Sequence, residues 1–254
     1  MNLSKSDIVN LFKDYGVREG DTIFIHSDAL VVMDIYGSDF NQKAETLVDA
    51  LINVVGESGT IVFPTFTYSA TKGELFNVSE TKSEVGVLSE YFRNRRSVVR
   101  SLHPVFSVAA IGSKKELFAK SKVDDCFGEK TCFDLLFNLN SWIFTMGCSF
   151  DRITFIHYID QKLKIGHRYF KTFPAVIDTG LERISIELQY YVRDLNRQTI
   201  TKLDNLRNNL RKENLLIEFE IGRALITGVK AMDFYNSASE LILLKSNIHI
   251  VEGY

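Results

Sequence analysis

Gln42-Lys43-Ala44-Glu45-Thr46-Leu47-Val48-Asp49-Ala50-Leu51-Ile52-Asn53-Val54-Val55-Gly56, followed after three residues by Thr60-Ile61-Val62-Phe63-Pro64, is the stretch that decides the fold class. Ala44, Leu47, Val48, Leu51, Ile52 and Val55 recur at the spacing of one helix face, and Gly56 supplies the stop. The second run is too short for a helix and almost wholly apolar, as in a strand covered on both sides. Outward from this pair the alternation continues. Ser4 or Ser6 caps a first helix with Ile8, Leu11, Phe12 and Tyr15 on one face and Gly16 closing it. Strands are predicted at 22–27, 105–111 and 142–146, with helices over 87–92, 114–119 and 132–137 between them. Beyond residue 165, strands at 169–177 and 182–191 flank the turn Asp178-Thr179-Gly180. A charged helix over 199–213, strands within 215–227 and a helix over 232–244 complete the chain. Pro64, Pro104 and Pro174 are scattered and no linker interrupts the pattern. The reading is α/β: a single domain over 1–254 with a central, mostly covered sheet flanked by helices.

Composition narrows the class. A chain of 254 residues, 45% hydrophobic and 24% charged, buries a substantial core and is ordinary for a soluble globular protein. A formal net charge of −2 offers no electrostatic case for nucleic acid, whose binding calls for a basic patch. No apolar run approaches the roughly 18 residues of a membrane span. The start, Met1-Asn2-Leu3-Ser4-Lys5-Ser6-Asp7, lacks the apolar stretch of a signal peptide. Cys126, Cys132 and Cys148 form no CxxC pair and read as reduced thiols of a cytoplasmic protein, with no metal expected.

Polar residues gather where the strands end, the usual place for ligands in α/β sheets. His26, Ser27 and Asp28 close the first strand. Thr65 and Thr67 follow Pro64 and alternate with Phe66, which turns two hydroxyls to one face of an extended segment. Arg100-Ser101-Leu102-His103-Pro104 leads to Ser107, read as sharing a strand face with Val105 and Ala109. Thr154-Phe155-Ile156-His157-Tyr158-Ile159-Asp160 sets a histidine three residues before a carboxylate. On a helix over 153–163 the two share a face, and the carboxylate is expected to fix the imidazole tautomer and raise its pKa. Each segment alone has a plainer reading, as a core segment with an incidental histidine, a polar turn or a packed serine.

In this order and spacing, over roughly residues 4–165 and more loosely to the end, the four segments resemble the antibiotic N-acetyltransferases of the aminoglycoside 3-N-acetyltransferase family. The resemblance implies that family's fold, distinct from the GNAT acetyltransferases whose motifs are missing. It implies acetyl-CoA or another short acyl-CoA as donor and an amino sugar as acceptor, joined by direct transfer in a ternary complex of a monomer or homodimer. An ammonium has no lone pair, so a base must free the amine. The resemblance assigns this to His157 oriented by Asp160, which stands where the family usually has the longer glutamate. His26 and Ser27 then meet the pantetheine arm and thioester, although Asp28 and Ala29 depart from the family's His-Ser/Thr-Ser-Leu run. Ser107 lines the donor site facing the thioester carbonyl, with Thr65 and Thr67 beside it. Arg100 and His103 either brace this turn or meet CoA phosphates, and His103 is the alternative base. Gly147 fits the family pattern, whereas Gly128-Glu129-Lys130-Thr131-Cys132 fits its Gly-x-x-Ser-Pro-like segment poorly.

Two other classes draw on the same residues. A serine hydrolase of the GxSxG type is approached only by Gly147-Cys148-Ser149-Phe150-Asp151, which lacks the last glycine. A non-catalytic CoA- or sugar-binding protein has no need of a base, yet His157 and Asp160 are both present. Among acceptors, loop acids Asp28, Asp34, Asp124, Asp125 and Glu129 would suit a polycationic aminoglycoside and a role in antibiotic resistance. Arg193, Arg197, Lys202, Arg207, Arg211 and Lys212 would suit a nucleotide-linked amino sugar of surface-polysaccharide synthesis. The run His157-Tyr158-Ile159-Asp160-Gln161 with Arg168-Tyr169-Phe170-Lys171 also resembles the latter group. Both charged sets fit a solvated surface better than a site.

Overall fold

Near-continuous burial along its central strands marks one seven-stranded sheet covered on both faces. The computed structural model describes residues 2–197, 199–245 and 249–252. The chain runs α1 (Lys5–Asp14), β1 (Thr22–Ser27), α2 (Phe40–Val55), β2 (Thr60–Pro64), α3 (Ser69–Lys72), β3 (Phe76–Asn77) and α4 (Val87–Arg93). Next come β4 (Val99–Arg100), β5 (Val108–Gly112), α5 (Lys115–Ala119), α6 (Cys132–Asn138), β6 (Trp142–Met146) and α7 (Ile156–Leu163). The last third holds β7 (Arg168–Asp178), β8 (Arg183–Arg193), β9 (Thr199–Thr201), α8 (Asp204–Lys212), β10 (Leu216–Ile221), β11 (Ala224–Lys230), α9 (Ala231–Leu244) and β12 (Ile250–Glu252).

The main sheet has the order β10-β11-β6-β1-β2-β5-β4. The central strand β1 runs parallel to both its neighbours, β2 and β6, and the outer pairings are antiparallel. Successive side chains of a strand face opposite ways. Ile23, Ile25, Ile61 and Phe63 therefore pack with Phe12 of α1 and Leu47 and Leu51 of α2. Phe24, Val62 and Ile143 face Phe133 of α6, Ile159 of α7, Leu210 of α8 and Phe234 of α9. That second cluster draws residues from both halves of the chain. α1 opens with a reciprocal cap: Ser4 Oγ accepts from Asp7 N–H, and Asp7 accepts from Ser4 N–H at 2.8 Å. No helix among the described residues is long and apolar enough to cross a membrane.

Three expectations change. The strand expected at 105–111 begins at Val108, because His103 Nδ1 accepts the backbone N–H groups of Val105 at 3.1 Å and Phe106 at 2.9 Å and holds 104–106 as a turn. Ser107 thus precedes the strand. The helix expected over 199–213 starts only at Asp204, since Thr199–Thr201 pairs with Ile250–Glu252. The helix expected over 153–163 begins at Ile156 and keeps both His157 and Asp160.

Candidate active site

α7 owes its position to its apolar face. Ile156, Tyr158 and Ile159 are buried, and Tyr158 donates its hydroxyl to Asp134 of α6 at 2.9 Å. The opposite choice of side chains carries the chemistry. His157 Nδ1 lies 3.0 Å from Asp160 Oδ2 one turn on, so the shorter aspartate does reach the imidazole. Two residues that the sequence reading did not single out for the site complete the group. Arg168, at the start of β7, sets Nε 3.0 Å from Asp160 Oδ2 and Nη2 2.7 Å from His157 Nδ1. His249 Nε2 is 2.8 Å from Asp160 Oδ1, an electrostatic contact off the angle of a hydrogen bond.

One ring nitrogen cannot serve two partners. Either Nδ1–H donates to Asp160, leaving the Nε2 lone pair, 3.5 Å from Arg168 Nη2, as the ring's acceptor, or Nδ1 accepts from Arg168. The expected rise in the His157 pKa is overturned: burial and the Arg168 guanidinium bring it down to about 4, against the opposing pull of Asp160. About a fifth of the side chain stays exposed, so the imidazole is neutral and reachable near pH 7. Asp160, 1% exposed, is pushed up by its burial, yet the His157 hydrogen bond, the His249 imidazole beside it and Arg168's charge outweigh that and hold it ionised well below the usual carboxylate range.

His157 forms part of the wall of two clefts. The first, of about 420 Å³, lies at the ends of β1 and β2 and is lined by His26, Ser27, Asp28, Phe66, Tyr68, Glu84, Gly86, Cys148, Asp151, Arg152 and Thr154 among others. His26 Nε2 and Ser27 Oγ are buried in this wall without protein partners, the kind of orphaned polar atoms that a ligand satisfies. Burial keeps His26 neutral, its pKa down to about 3. Asp28 accepts from Leu30 N–H and caps the following turn. The second cleft, of about 370 Å³, opens on the β7–β8 hairpin and is lined by Arg168, Tyr169, Lys171, Phe173, Tyr190, Val192, Arg193, Leu195 and Thr201.

Five other predicted site residues stand behind the first cleft, not in its wall. Thr65, Thr67 and Ser107 are fully buried. Ser107 Oγ donates to Thr65 O at 2.6 Å, and Thr67 Oγ1 donates to Pro104 O at 3.2 Å. Arg100 spends its guanidinium on the carbonyls of Val78, Thr81 and Thr65. His103 uses both nitrogens: Nδ1 holds the 104–106 turn and Nε2 donates to Asp125 O at 3.2 Å. Of the two roles open to Arg100 and His103, bracing is the one seen, and His103 has no nitrogen left to act as a base. The hydroxyls expected at the donor are drawn inward because the turn needs them as hydrogen-bond partners. Phe66 lines the cleft between them.

The remaining candidates divide by their partners. Gly147 takes a φ of +71° where the chain leaves β6 beside the first cleft, a conformation that suits glycine. Ser149 Oγ caps the turn Phe150–Arg152 by accepting from Asp151 N–H. Asp34 pairs with Arg223, and Arg207 and Arg211 pair with Glu218, so those charges are matched on the surface. Asp160, His167 and His249 present buried ligand atoms within 4.8 Å of one another. Arg168 already stands on Asp160 there, and its fixed charge opposes a divalent ion.

A family model described as Aminoglycoside 3-N-acetyltransferase matches residues 24–242. The SPbeta prophage-derived aminoglycoside N(3')-acetyltransferase-like protein YokD of Bacillus subtilis is 25% identical over 198 residues, covering 69% of this chain and 71% of that protein. Among solved structures, AAC-VIa bound to sisomicin superposes with a TM-score of 0.79 at 21% identity, covering 97% of this chain and 99% of that one. The AAC-IIIb binary complex with CoASH gives a TM-score of 0.79 at 18% identity over 96% and 98% of the two chains. These likenesses bear out the mixed α/β fold with its helix-flanked sheet.

Proposed function

The chain belongs to the aminoglycoside 3-N-acetyltransferase family and is an acetyl-CoA-dependent N-acetyltransferase; from that premise we propose that it acetylates the amine of an amino sugar directly, with His157 as general base. The observation that carries this reading is that His157 belongs to both clefts while Nδ1 lies 3.0 Å from Asp160. Acetyl-CoA supplies an activated acyl carbon. Its pantetheine arm is assigned to the first cleft, where His26 Nε2 and Ser27 Oγ offer unpartnered polar atoms. The acceptor is assigned to the second.

Asp160 holds the Nδ1 proton, and Nε2 takes a proton from the attacking amine. The new C–N bond forms as the C–S bond breaks, and the proton leaves with the CoA thiol. Closeness of the two reactants across one imidazole makes a covalent acyl-enzyme unnecessary. Residues 1–254 are assigned to one cytoplasmic domain, since the second hydrophobic cluster joins both halves and the cysteines are free.

Mass spectrometry of products from acetyl-CoA and a panel of amino sugars tests the reading. A gain of one acetyl group on nitrogen, matched by one thiol released, is expected. Thioester hydrolysis alone, with every acceptor returned unchanged, would contradict it.

A further inference from the structure

We propose that the second cleft selects an acceptor bearing phosphate, such as a nucleoside-diphosphate-linked amino sugar, over a polycationic aminoglycoside. The inference rests on the assignment of that cleft to the acceptor. Its wall contains Arg168, Lys171 and Arg193 and, among the described residues, no acidic side chain. Arg168 is committed to Asp160 and His157, which leaves Lys171 and Arg193 as the outward cations. Both residues are exposed. Lys171 Nζ is steadied 4.9 Å above the Phe173 ring, and Arg193 Nη1 donates to Thr199 O. The first cleft has the opposite character, with Asp28, Glu84 and Asp151 against a single Arg152.

Sign decides the class. A sugar carrying several ammonium groups would enter the second cleft against two like charges, with no carboxylate in the wall to receive it. Phosphate oxygens, in contrast, match lysine as a point charge and arginine as a fork of donors. Tyr169, Phe173 and Tyr190 add flat apolar surface for a sugar face or a nucleobase. The same wall includes His157, so a ligand gripped by its phosphates here presents its sugar amine to the base.

The probes are a nucleoside-diphosphate-linked amino-hexose, the same amino-hexose without the nucleotide, and sisomicin, each assayed by thiol release with the full chain. The nucleotide-linked sugar is expected to show the highest kcat/KM. Lys171→Glu and Arg193→Glu should each raise its KM at least about tenfold, the loss that corresponds to about 1.4 kcal/mol, while acetyl-CoA affinity by calorimetry stays within about twofold. Preference for sisomicin would overturn the assignment while leaving N-acetyl transfer intact. Weakened acetyl-CoA binding in both variants with an unmoved acceptor KM would also overturn it, because the cations would then serve the donor's phosphates. Failure to acetylate any of the three sugars would remove both this inference and the transferase reading on which it rests.

Discussion

At Nδ1 of His157 two neighbours compete for one ring position. Asp160 at 3.0 Å favours the protonated nitrogen, whereas Arg168 at 2.7 Å favours its lone pair. The pairing of His157 with Asp160 was legible in the sequence because residues three apart on a helix are neighbours. Arg168 was not, since its approach depends on where β7 starts relative to α7, and the expected pKa consequently had the wrong sign. His249 lies much further along the chain and gave no local signal at all. Replacing Arg168 by Met should move the His157 pKa from about 4 part of the way toward its ordinary 6.5, because burial remains while the opposing charge is gone. A ¹⁵N-resolved NMR titration of the imidazole reads this shift. An unchanged or lower value would show that Arg168 does not control the ring.

At the scale of elements, helix and strand identities were largely readable, and the failure at 105–107 has a side-chain cause. The apolar periodicity of 60–64 and 142–146 yields β2 and β6 with the expected bounds, as does the helical face over α2 apart from its first two residues. Residues 105–107 carry the same apolar pattern, yet His103 captures the two backbone N–H groups that a ladder would have used. A side chain competing for backbone partners leaves no trace in hydrophobic spacing. The same competition turns Ser107, Thr65 and Thr67 away from the first cleft. His103→Ala would strand the N–H groups of Val105 and Phe106 in the interior, at a cost on the order of 1–3 kcal/mol for each unsatisfied group. Urea denaturation should therefore show a clear loss of stability. Arg100→Lys provides the complementary check, since lysine keeps the charge but not the fork of donors that binds three carbonyls. Lowered stability with only a secondary change in acetyl-CoA affinity is expected. Lost affinity at unchanged stability would mean that Arg100 meets the CoA phosphates after all.

Across the whole molecule, a covered sheet leaves its strand ends as the openings, and burial of the histidines comes with that architecture. Burial is the largest influence on each of His26, His103, His157 and His167, bringing the first down to about 3 and the others to about 4. In the unfolded chain all four protonate near 6.5. Between about pH 6.5 and 4 the unfolded state thus binds more protons, so stability rises with pH, is complete above 6.5 and declines as the pH falls. Each group contributes at most about 1.4 kcal/mol per pH unit in that window. The urea midpoint should fall distinctly from pH 7 to pH 5, and a flat midpoint would contradict neutral burial. The placing of the two clefts on either side of one imidazole lay beyond the sequence, which carries no record of how the β7–β8 hairpin stands against α7. That placing underlies the central claim, and His157→Gln tests it most directly. With saturating acetyl-CoA and an accepted amino sugar at pH 7, kcat should fall roughly 10²–10⁴-fold, the usual contribution of a general base, while the acetyl-CoA Kd stays within about twofold. Near wild-type turnover by the variant would show that the amine loses its proton elsewhere.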